Sequence, residues 1–294
     1  MLIPLPLLVV SLLFQPQVRD PELTARIQKL LHTVVTEHDR NREAGVDEAK
    51  EIFRQHGLPS VAAVGDEAAY DFVFLTCTTG SPAFRQEVAQ KAREAAKKHE
   101  LPEDAATYCT VHQRQESVKS NLQKQRPRNP ALRDQIETLF KEDQAVRQRE
   151  GFDFAKMLET DRAHAPVVED LFAKCGVPGY RTVGPQAASH FALLIQHQSP
   201  DFRARVLPLL KANVDAGQAD PESYAMIYDR SQTDTGKMQL YGENFVCDTE
   251  HPTMRPAPIH DPDHVNQRRA AIGLMRFEVY TKLLLETSPS LCGH

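Results

Sequence analysis

Leu23, Ile27, Leu30, Leu31 and Val34 recur at the spacing of one helical face. Asp20 and Pro21 just before them are a good N-cap and first-turn residue. Asn129-Pro130 opens a similar stripe, with Leu132, Ile136 and Leu139. The pattern predicts a second helix from about Val46 to His56, closed by Gly57, and a partner for it closed by Gly176. Gly65 and Gly184 precede a third pair of helices, one carrying Phe72 and Leu75, the other Phe191, Leu194 and Ile195. A fourth pair begins near Phe84 and Phe202, where Pro208 is expected to kink the second member or delay its start. The fifth pair opens at Pro102 and at Pro221, the latter capped by Asp220.

These pairs reflect self-similarity. Gly57 and Gly176 are 119 residues apart, and the same offset relates Pro59 to Pro178, Gly65 to Gly184, Ala68-Ala69 to Ala187-Ala188 and Phe72 to Phe191. Over residues 57–75, 8 of 19 positions are identical to their counterparts, the mark of a duplicated unit. The expected architecture is all-α: two diverged copies of a roughly five-helix unit over 20–118 and 129–240, then a C-terminal arm and helix over 241–294 that pack on copy two. Lys119 to Asn129 reads as the linker. Gln239 to Val246 reads as a short extended segment, and the four prolines between Asp248 and Asp263 as an ordered loop or arm. A last helix is expected after an Asp261-Pro262 cap, carrying Val265, Ile272, Met275 and Tyr280.

Leu2 to Phe14 is almost wholly apolar. It falls short of the about 20 residues that span a bilayer, and it suits the core of a secretory signal over residues 1–16. A periplasmic or secreted protein is therefore expected, without an integral membrane span; if the segment is structural, the chain is cytoplasmic. The net charge of −5 gives no general attraction to nucleic acid. Five scattered cysteines do not form a disulfide framework. Cys77, Cys109 and Cys175 read as buried thiols, while Cys247 and Cys292 can pair in an exported chain.

The copies differ in their ionisable residues. Copy two has Gln196-His197 where copy one has Cys77-Thr78, and Asp229-Arg230 where copy one has Thr110-Val111. Copy two thus reads as the keeper of a polar site and copy one as scaffold. His197 is suited to act as acid, base or ligand, or to sit favourably at a helix C-terminus. Asp229 and Arg230 can orient it, grip an anion or form a plain ion pair. Gly236-Lys237 lacks the upstream glycine of a phosphate loop. The cluster His260, Asp261, Asp263, His264 is broken by Pro262, and no metal site or cofactor is read from it.

Gly176-Val177-Pro178, Val183-Gly184, Gln196-His197, Asp229-Arg230, Gly236 with Gln239 and Tyr241-Gly242, Pro258-Ile259 with Asp261-Pro262, and Arg268-Arg269 with Gly273-Leu274 resemble, in order and spacing, a bacterial family catalogued as domain of unknown function 6624. The resemblance covers roughly Leu139 to Tyr280. The chain departs from it at Glu243-Asn244, where the family resembles Thr-Gln. The resemblance carries no established activity, but it sharpens the site list.

Three functional readings stand side by side. In the first, an enzyme of hydrolase or transferase type acts on a small polar substrate in a cleft of copy two. His197, Asp229 and Tyr241 are its catalytic group, and Gln196, Arg230, Gln239, Asp261, Arg268 and Arg269 are ligand-binding. The second is a helical-repeat module that binds a peptide or small ligand. The third is a structural envelope protein with no site.

Overall fold

The computed structural model describes residues 18–36, 40–147, 153–247 and 254–287, so the apolar segment 2–14 and Cys292 lie outside the described residues. The described chain is all-α apart from two three-residue strands. The first half runs α1 (Pro21–Thr36), α2 (Arg40–His56), α3 (Val61–Val64), α4 (Asp66–Thr78), α5 (Pro82–Lys97) and α6 (Glu103–Gln123). The second runs α7 (Pro130–Ala145), α8 (Phe154–Cys175), α9 (Tyr180–Val183), α10 (Pro185–Gln196), α11 (Pro200–Asp215) and α12 (Pro221–Thr233). Each half adds to the expected five helices a single turn, α3 or α9, set just before the glycine that starts the next helix.

Local chemistry explains these starts. Asp20, Asn129, Ser81, Ser199, Asp153 and Asp220 each cap a helix through a side-chain oxygen. Gly65 and Gly184 take nearly the same left-handed φ, 86° and 87°, a conformation that favours glycine. The two halves also repeat long-range bonds. Asp20 N donates to Ala63 O at 2.9 Å and Asn129 N to Thr182 O at 2.8 Å; Val61 N donates to Glu100 O and Tyr180 N to Gln218 O, both at 2.8 Å. Arg85 and Arg203 each reach back five residues to donate to a carbonyl, Gly80 O and Gln198 O.

Two apolar cores result. One gathers α1 to α5 and the start of α6, with Ile27, Ile52, Phe72 and Leu75 buried; the other gathers α7 to α12, with Ile136, Phe191, Ile195 and Phe202 buried. Each such side chain contributes about 1.5–3 kcal/mol by leaving water. Helix α6 belongs to both, through Tyr108 and Cys109 at one end and Leu122 at the other. The expected linker is thus half helix: α6 continues to Gln123, and only the residues after it connect the halves. Helix α11 starts at Pro200 and passes through Pro208 without delay. Burial of Phe202, Val206, Leu210 and Val214 on one face offsets the about 3 kcal/mol that an interior proline costs.

The arm carries strands β1 (Phe245–Cys247) and β2 (Met254–Pro256), antiparallel with Val246 opposite Arg255. The single last helix is two. After a 3-10 turn at Pro262–His264 come α13 (Val265–Ala271) and α14 (Phe277–Thr287), broken at Gly273. A Cβ at Gly273 would meet Gln115 Oε1 at 2.3 Å, so the glycine admits α6. This C-terminal segment extends beyond the second half: Ile272 and Leu274 join its core, while Ala270 and Val279 join the first.

The cysteines correct the expectation. Cys77 of α4 and Cys109 of α6 form a disulfide with Cα atoms 5.6 Å apart, and Cys175 is an exposed free thiol. Cys247 is disulfide-bonded; its expected partner, Cys292, lies outside the described residues. No helix of the described residues is long and apolar enough to cross a membrane.

Candidate functional site

His197 directly follows α10, and its Nδ1 lies 2.9 Å from Asp143 Oδ1. Asp143 continues the buried α7 stripe of Leu132, Ile136 and Leu139. Gln144 Nε2 donates to its Oδ2 at 2.8 Å, and Arg147 Nη1 stands 2.7 Å from its Oδ1. Burial pushes the Asp143 carboxyl up, but the hydrogen bond and charge of His197, with Gln144 and Arg147, hold it below its ordinary value. Asp143, Asp161 and His197 offer ligand atoms within 4.8 Å of one another. Arg147 pairs with both carboxylates, so its guanidinium already supplies the cation between them. The group that orients His197 is therefore Asp143, brought from 54 residues away by packing of α7 on α10.

Asp229 does something else. Its buried carboxylate accepts the backbone N–H groups of Leu240 at 2.7 Å, Tyr241 at 3.1 Å and Glu243 at 2.9 Å. Burial raises its pKa, and these backbone donors pull against the rise. Gln239 is also buried; it donates to Asn244 O and Ala257 O and accepts from Asn244 N. Arg268 donates to the carbonyls of Leu240, His260 and Asp261. Arg269 donates to Met275 O and Tyr241 O, both at 2.6 Å, and pairs with Glu243 Oε1 at 2.7 Å. A Cβ on Gly242 would strike the Phe277 ring at 2.5 Å. Asp229, Gln239, Tyr241, Arg268 and Arg269 thus converge, as a clasp that folds the arm onto α12.

Of the remaining expected site residues, Asp261 meets the clasp through Arg268, while Gln196 and Arg230 bond elsewhere. The Gln196 carbonyl accepts from Arg203. Arg230 is exposed and pairs with Asp234 at 3.6 Å. Asp261 takes a left-handed φ of 47° and its side chain makes no cap hydrogen bond; its carbonyl accepts from His264 N at 3.2 Å and its carboxylate faces His264 Nδ1 at 2.9 Å. That contact lowers its pKa.

The clasp borders a cavity of about 210 Å³ in the seam where α6, the start of α12 and the C-terminal segment meet. Its lining includes Tyr108, His112, Glu222, Glu243, Arg269 and Tyr280. The Glu243 side chain is 1% exposed; its Oε1 pairs with Arg269, the Tyr280 hydroxyl stands beside the carboxyl, and its Oε2 makes no close hydrogen bond to a described residue. Burial raises Glu243 to about 7, with Arg269 opposing and Glu222 adding to the rise. Burial also raises Glu222 and Tyr280 and lowers His112. The Arg269 guanidinium lies 4.7 Å over the Tyr280 ring, fixing the wall on which Glu243 stands.

Asp143, Arg147, Asp161 and the acids of the seam escaped the reading of the sequence. A carboxylate on the apolar stripe Leu132, Ile136, Leu139, Asp143 was the available signal for the first of them. Glu243 stood out only as a departure from the resembling pattern.

Residues 130–291 match the family DUF6624, described as a family of unknown function. The match takes in more than half of the chain, and the chain belongs to this family. No curated protein and no solved structure matches it.

Proposed function

We propose that the chain is an exported helical protein that takes a small polar molecule into the seam cavity and exchanges a proton with it through Glu243. Hydrolases and transferases use steps of this kind. The observation that carries this reading is a buried carboxyl set between Arg269 and the Tyr280 hydroxyl, whose pKa is raised to about 7 and whose Oε2 makes no close hydrogen bond to a described residue. A carboxyl tuned there exists in both protonation states near neutral pH, which acid–base work requires. Arg269 positions Glu243 through Oε1, leaving the other oxygen for a ligand. Since the resemblance breaks at Glu243, this chemistry belongs to the chain rather than to the family pattern. Export is supported by the apolar segment 2–14 and by the Cys77–Cys109 disulfide, which persists in oxidising compartments. Duplication is supported by the 119-residue offset and by the repeated caps and backbone bonds.

One observation favours a second site. His197 Nε2 has no hydrogen bond to a described residue while Nδ1 is held by Asp143, the arrangement of an oriented base. A thermal-shift screen of small polar metabolites separates the two. A ligand that stabilises the wild type and His197→Ala but not Glu243→Gln supports the seam. A ligand lost only in His197→Ala moves the function to the Asp143–His197 pair, and stabilisation unchanged in both variants overturns both.

A further inference from the structure

A second, larger cavity of about 480 Å³ lies between α1, α4, the start of α6 and the C-terminal helices. Six carboxylates line it, Asp66, Glu67, Asp71, Asp104, Asp263 and Glu278, against two cations, Arg276 and Lys282. Arg276 is consumed: it takes Asp104 through both carboxylate oxygens, at 2.5 and 2.7 Å, and Asp66 at 2.5 Å. Glu278 is held by Asn266 Nδ2 at 2.9 Å.

Asp71 is different. It sits in the middle of α4 among Tyr70, Phe72, Val73 and Phe74, on a helix buried from Ala68 to Cys77. It is only 4% exposed, yet it has no hydrogen bond and no ion pair to a described residue. Burial, and after it the charge of Glu67, raises its pKa to about 7; the charges of Lys282 and Arg276 only partly oppose this. A buried carboxylate normally has a partner, because an unpaired one is costly. The second half holds none of this arrangement: 119 residues on, Asp66, Glu67, Tyr70 and Asp71 become Pro185, Gln186, Ser189 and His190.

We propose that this cavity binds a small organic ammonium ion, a linear alkyl amine or diamine, with Asp71 as the buried anchor for one ammonium group. A bare divalent metal fits less well. It needs several oxygens converging at about 2.0–2.6 Å around one point, and among the described residues only Asp143, Asp161 and His197 converge at ligand spacing. Carboxylates spread around a cavity of this size instead suit a ligand with its charge on the end or ends of a chain. Leu31 and Val279 in the wall suit its methylenes.

The test is titration calorimetry of the full chain at pH 8 with putrescine, with butane-1,4-diol as the uncharged control and calcium as the competing cation. Saturable binding of putrescine, no binding of the diol, at least a tenfold weaker affinity in Asp71→Asn and a several-fold weaker one in Glu67→Gln are expected. Glu67 is exposed, so its substitution reports on the site even if Asp71→Asn does not fold. Absence of putrescine binding to the wild type, equal affinity in the substituted chains, or tighter binding of calcium than of putrescine overturns the proposal. Since the seam cavity is walled by other acids, failure here leaves the Glu243 reading standing.

Discussion

Both carboxylate oxygens of Asp229 lie 3.1 Å from the backbone nitrogen of Tyr241, whose N–H they share. Two residues that the sequence placed with His197 in a catalytic group are thus joined as an anchor and the turn it holds. Asp229 ends up fully buried with backbone donors around it, an arrangement that fixes a chain path.

Asp229→Asn is therefore expected to destabilise the protein by about 2–4 kcal/mol, since an amide N–H would face backbone N–H groups where a carboxylate now accepts them. Urea denaturation measures the loss. Faster hydrogen exchange at 240–243 should accompany it, because the arm depends on this contact. An unchanged midpoint and unchanged exchange would show that Gln239, Arg268 and Arg269 hold the arm without Asp229.

Removing the disulfide with Cys77→Ser and Cys109→Ser together is expected to cost about 3–4 kcal/mol, from the freedom returned to an unfolded chain whose loop closes across 32 residues. Because Cys247 is also disulfide-bonded, variant and wild type are compared with reductant present for both, where their denaturant midpoints should coincide. The second half places Gln196 and Tyr228 at the corresponding positions, so its exchange protection should change little.

Asp71 sets a pH dependence with a definite sign. Its folded pKa of about 7 lies above the ordinary value near 3.9, so the folded protein holds the proton more tightly than the unfolded chain. Stability from this group is greatest at the acidic end and falls as pH rises from about 4 to about 7. Asp71→Asn removes that slope and should leave the protein more stable than the wild type above pH 7, by roughly 2–4 kcal/mol. Glu243 slopes the same way and remains in the variant. Denaturant midpoints from pH 4 to pH 8 give the comparison; parallel curves for the two proteins would contradict it.

The helical class, the caps Asp20, Asn129 and Asp220 and the Gly65 and Gly184 starts were legible because they depend on neighbours three or four residues away. The apolar stripe of α1 and the aromatic positions of α4 and α10 were legible for the same reason. Four features were not: the disulfide, the passage of α11 through Pro208, the break at Gly273 and the partner of His197. Each rests on a contact between distant segments or on packing that offsets a local cost. Copy one read as scaffold because Thr78 and Thr110 stand where copy two has His197 and Asp229, yet its Asp71 lines the acidic cavity.

By itself the sequence determined a chain of capped amphipathic helices in two similar runs, since periodicity and capping are local and repeat with the residues that cause them. Only the tertiary structure decided what the ionisable residues do. Asp229 and Asp143 are both buried aspartates of the second half, yet one holds a backbone turn and the other a histidine and an arginine. A carboxylate's role follows from which donors packing brings within about 3 Å of it, and those donors lie 11 to 14 residues away for Asp229 and 54 for the Asp143–His197 pair.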